Sequence, residues 1–76
     1  MSIISEINNY SLKKVIDDLI EDEDEAIIGY EDAIDEAKIF YNEGSITQEE
    51  YNKLVETFNH IIAEEKEHIE ELENLL

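Results

Sequence analysis

Glu65-Lys66-Glu67-His68 sets a carboxylate and an imidazole three residues apart. On a helix that spacing directs both side chains into one region, and helical bundles use it to hold metal ions in their cores. Glu23 joins them through the hydropathy pattern. Ile16, Tyr30 and Ala37 share one heptad position of a first apolar stripe, and Glu23 is its missing member. In a second stripe Tyr51, Phe58 and Leu72 share a position interrupted by Glu65, while Leu54, Ile61 and Leu75 share another interrupted by His68. All three ionisable residues thus stand where the pattern demands an apolar one, and Glu23 and Glu65 are expected to be buried and unpaired. A buried carboxylate without a counter-charge is costly, and the stripes contain no Lys or Arg. A divalent cation is the remaining compensation.

The elements that must position these residues follow from periodicity. Apolar residues recur at spacings of three and four from Leu12 through Val15, Ile16, Leu19, Ile20, Ala26, Ile27, Tyr30, Ala33, Ile34, Ala37 and Phe40 to Tyr41, one face of a helix. Ser11 is the expected N-cap, and Asn42-Glu43-Gly44-Ser45 is the stop. Thr47-Gln48-Glu49-Glu50 reads as a capping box opening a second helix, whose stripe runs to Leu75 and Leu76. The chain is one domain, with an N-terminal segment at 1–10, helix 1 at 11–43 and helix 2 at 47–76. Ile3, Ile4, Ile7 and Tyr10 fit a short amphipathic helix that caps the bundle or contacts a partner. At ~1.5 Å per residue, Glu23 and the Glu65/His68 pair both fall roughly 25–30 Å from the turn, so folding the hairpin brings them level.

Two amphipathic helices do not close a core by themselves. The expected fold is all-α, an antiparallel two-helix hairpin that dimerises into a four-helix bundle. A twofold would supply Glu23, Glu65 and His68 twice. Four carboxylates then match two divalent cations.

Composition excludes other classes. The 76 residues carry 22 acidic and 5 basic side chains, a net charge of −17. A nucleic-acid backbone needs clustered Lys and Arg, so nucleic acid is not an expected partner, and an anionic membrane surface is disfavoured too. The apolar share of 42% is too high for an acidic disordered tail. No cysteine is present, which removes disulfides, zinc–thiolate sites and iron–sulfur clusters. With no basic region before the first apolar residues and no apolar run of membrane-spanning length, a cytoplasmic location is expected.

The combination of Glu23-x6-Tyr30 with Glu64-Glu65-Lys66-Glu67-His68 on the next helix resembles the ferritin-like superfamily, especially rubrerythrins and the short two-helix ferritins carried inside encapsulins. The likeness covers roughly residues 12 to 76. It implies that Glu23 and Glu65 are iron ligands, Glu65 as a bridge, that His68 is a terminal ligand, and that Tyr30 hydrogen-bonds a site carboxylate. It also implies two iron ions per dimer, with manganese as the alternative metal, and ferroxidase-type oxidation of ferrous iron by oxygen or peroxide. The sequence departs from full-length rubrerythrins and ferritins in carrying one helix pair rather than two. It lacks the cysteine-ligated electron relay that rubrerythrins often add, and no targeting peptide for an encapsulin shell is visible.

Competing readings attach to the same residues. The chain could instead be a non-enzymatic acidic interaction protein, a nucleic-acid mimic for a basic partner, or a bundle whose inner Glu and His only fix helix register. His60 falls outside the stripe and reads as a surface residue paired with Glu64. Glu64 is the rival to Glu65, being one turn before His68. Tyr41 and Tyr51 belong to core or rim, and Gly29 is expected to permit close helix packing. Asp22, Glu25 and Asp32 offer either a weak access route for cations or simple solubility.

Overall fold

The computed structural model describes residues 10–76, so the amphipathic segment expected over the first residues lies outside it apart from Tyr10. Two helices make up the fold, α1 over Tyr10–Asn42 and α2 over Gln48–Glu73, antiparallel and in contact along their length. Among the described residues there is no strand, and no helix is long and apolar enough to cross a membrane. Proline is absent, and α1 runs unbroken for 33 residues, about 50 Å at the usual helical rise.

The connection is fixed by local chemistry at both helix ends. Gly44 has φ +80, the left-handed conformation that a residue without Cβ adopts at no steric cost. Its N–H donates to the Tyr41 carbonyl at 3.1 Å, and the Ser45 N–H donates to the Phe40 carbonyl at 2.9 Å, the paired closure of a Schellman motif. Two residues later the expected capping box is complete. The Glu50 N–H donates to Thr47 Oγ1 at 3.1 Å, and the Thr47 N–H donates to Glu50 Oε1 at 2.9 Å. The Glu50 carboxyl is held below its ordinary pKa by that backbone N–H. Behind the turn the Tyr41 and Tyr51 rings stack at 5.0 Å.

Three local expectations are corrected. Ser11 lies inside α1 rather than at its cap. The second helix ends at Glu73, not 76, and its last residues close through tighter turns: the Leu75 N–H reaches the Leu72 carbonyl and the Leu76 N–H the Glu73 carbonyl. Gly29 is exposed, and a Cβ built there would meet nothing within 4 Å, so close packing is not what it provides.

The hairpin is one helix thick. It measures 56 × 16 × 9 Å with a radius of gyration of 17.2 Å, where a compact domain of this length would have about 11 Å. Among the described residues the buried apolar ones are Ile16, Ile27, Ala37 and Ile62. Leu12, Leu19 and Phe40 of α1 and Leu54 and Leu75 of α2 share the adjoining heptad position and remain exposed. Leu19 and Leu75 meet across the two helices in one groove.

Candidate metal centre

Glu23 comes from the middle of α1, and Glu65 and His68 from successive turns of α2. Helical rise alone puts them level, and the structure brings them together: one potential ligand atom from each lies within 4.8 Å of the other two. Glu23 Oε2 is 3.5 Å from His68 Nδ1. That oxygen is sealed from solvent and accepts no hydrogen bond, although the Glu23 side chain as a whole keeps 27% of its exposure. Burying an acceptor without a donor is unfavourable, and such atoms are rare in native structures.

Burial differs from the expectation. Glu23 and Glu65 are half-buried and His68 is 51% exposed, because a single hairpin covers the site from one side only. The two carboxylates are not independent of each other either. The Glu65 pKa is raised, first by hydrogen bonding to the facing Glu23 carboxylate, then by desolvation and by the Glu23 charge; His68 acts in the opposite direction. Two carboxylates held this close favour a proton or a cation between them. A metal ion binding here would compete with protonation of the pair.

The donor set is two oxygens and one imidazole nitrogen. It contains no thiolate, and it suits iron, manganese or zinc rather than a soft cation. Three ligands from one chain leave positions open for solvent, substrate or a second set of residues.

The rival carboxylate, Glu64, is not among the three residues brought together. Glu64 Oε1 lies 2.8 Å from His60 Nε2, which keeps both residues on the outer surface, as their i, i+4 spacing had indicated. Tyr30 does not make the expected hydrogen bond: among the described residues its hydroxyl bonds no site carboxylate, and its ring packs against Phe58 at a centroid distance of 5.8 Å. Asp22, Glu25 and Asp32 are exposed, in keeping with either reading of them.

Beside the three ligands an open groove of about 480 Å³ is lined by Leu19, Glu23, His68, Glu71, Leu72 and Leu75. Glu71 had no place in the sequence reading. In the run Glu70-Glu71 it has the composition of a solvated face, and only its spacing of three from His68 distinguishes it. The chain matches no family model, no curated protein and no solved structure.

Proposed function

We propose that the chain is a ferritin-like iron-handling protein that binds ferrous iron at Glu23, Glu65 and His68 and oxidises it at the interface of a homodimer or larger homo-oligomer. The observation that carries this reading is the buried, unpartnered Glu23 Oε2 facing His68 and Glu65, with every ligand atom within 4.8 Å. A cation answers three requirements at once. It gives the orphaned oxygen a partner, relieves the repulsion between the facing carboxylates, and offsets one carboxylate pair per chain.

Dimerisation follows from the exposed apolar residues. A second copy laid on Leu12, Leu19, Phe40, Leu54 and Leu75 would complete a four-helix bundle and close the half-open site. The assembled site would hold four carboxylates and two imidazoles, neutral with two ferrous ions. Dioxygen would take one electron from each ferrous ion and two protons from solvent, leaving two ferric ions and hydrogen peroxide. With peroxide as the oxidant, the same two electrons and two protons break the O–O bond to give water. The chain's own residues hold the two ions at one level, and the apolar walls restrict water.

Anaerobic titration with ferrous iron tests the proposal. About one iron per chain is expected, on a particle of at least twice the chain mass by native mass spectrometry. Glu65→Ala and His68→Ala should abolish that stoichiometry, while His60→Ala leaves it intact. Absence of binding near one iron per chain would overturn the reading. A monomer indifferent to iron and manganese would favour the acidic interaction protein, for which the exposed Glu21, Asp22, Asp24 and Glu25 supply the surface.

A further inference from the structure

A histidine that holds a metal through one ring nitrogen needs its other nitrogen fixed, because that second contact sets both tautomer and ring orientation. His68 presents Nδ1 to Glu23, which turns Nε2 to the opposite edge of the ring. Among the described residues no side chain hydrogen-bonds that edge, and the His68 side chain is half-exposed. On α2 the candidates to hold it are the carboxylates one turn away, since residues one or two positions apart do not face each other on a helix. Glu64, on the N-terminal side, is engaged by His60 at 2.8 Å. Glu65 is itself one of the three clustered ligands. Glu71, on the C-terminal side, lines the same groove as His68 and Glu23, and it is the one acid of that groove outside the ligand cluster.

We infer that Glu71 is the positioning residue of the metal centre: once a metal is bound, its carboxylate, which makes no polar contact with His68 in this structure, swings to accept the Nε2 proton so that Nδ1 stays directed at the metal. The inference rests on the reading of Glu23, Glu65 and His68 as ligands. It adds a residue that neither the helical pattern nor the ligand cluster contains. Leu19, Leu72 and Leu75 form the remaining walls of the groove, and this apolar surround strengthens a charge-assisted hydrogen bond from the ring.

Zinc(II) is a suitable probe, being redox-inert and diamagnetic. The wild-type protein should bind about one zinc per chain by equilibrium dialysis. Glu71→Ala should keep that stoichiometry and weaken affinity about 10–100-fold, the usual effect of removing such a partner. Glu71→Gln, whose amide oxygen still accepts the Nε2 proton, should recover most of the loss. Glu70→Ala removes the same charge from the neighbouring position and should change nothing. In the zinc-loaded wild type the His68 Nε2–H should appear as a protected proton by NMR, and it should be lost in Glu71→Ala. Equal affinity of wild type and Glu71→Ala, persistence of that proton signal in the variant, or an equal loss in Glu70→Ala would each overturn the assignment. Failure of the wild type to bind zinc or iron at all would instead remove the metal centre itself.

Discussion

The two ends of the hairpin obey different rules. At the turn the chain supplies its own closing contacts within a few residues: Gly44 and Ser45 close α1, Thr47 and Glu50 open α2, and Tyr41 and Tyr51 stack behind them. At the level of Glu23 the opposite holds. An acceptor is buried without a donor, the neighbouring Glu23 pushes the Glu65 pKa up, and leucines stand exposed beside a groove. The turn is finished by one chain alone, whereas the site is left with unmet requirements. Unmet requirements are where a ligand or a second chain gains its binding energy.

Replacing Glu23 by Leu attacks that contrast most directly. It removes the orphaned oxygen and one ligand together, so the metal-free protein should gain on the order of 1–2 kcal/mol in stability while losing metal binding completely. Chemical denaturation with and without zinc measures both; a loss of metal-free stability would show that Glu23 is satisfied in a way the geometry does not reveal. At the other end, Thr47→Ala should cost about 1 kcal/mol through the lost cap and leave metal affinity untouched.

The smallest effect separates the two ends by pH. Glu50 has a lowered pKa, so its stabilisation is present above its unfolded pKa and disappears as pH falls through the folded value. Glu65 has a raised pKa, so its contribution is full below its unfolded pKa and disappears as pH rises through the folded value. Glu50→Gln and Glu65→Gln should therefore change the pH dependence of the metal-free melting temperature in opposite directions across the carboxylate range. The same direction in both would show that the two ends do not differ in this way.

How much of this could be read from the sequence depended on range. The capping box and the His60–Glu64 contact were legible because each is settled within four residues by helical geometry. The coincidence of Glu23 with Glu65 and His68 was legible through simple counting, since two straight helices joined by a short turn keep the same rise. What failed depended on surroundings. Gly29 looked like a packing residue only because its neighbours in the chain are apolar, but it faces solvent. Periodicity carried the second helix to Leu76, although the backbone had already tightened after Glu73. Full burial of Glu23 and Glu65 was expected from periodicity, yet one hairpin leaves both half-buried. Glu71 was hidden by its acidic neighbours, and only the shape of the groove distinguishes it from Glu70.

Gly44 carries a consequence about handedness. Its backbone occupies the mirror image of the region that ordinary residues prefer, and open space surrounds the position a side chain would take. An L-alanine there would strain the turn, whereas a D-alanine would adopt the observed angles at ease and deprive the unfolded chain of freedom it now has. One atom's stereochemistry at position 44 thus separates a weakened connection from a stiffened one, far from the metal centre.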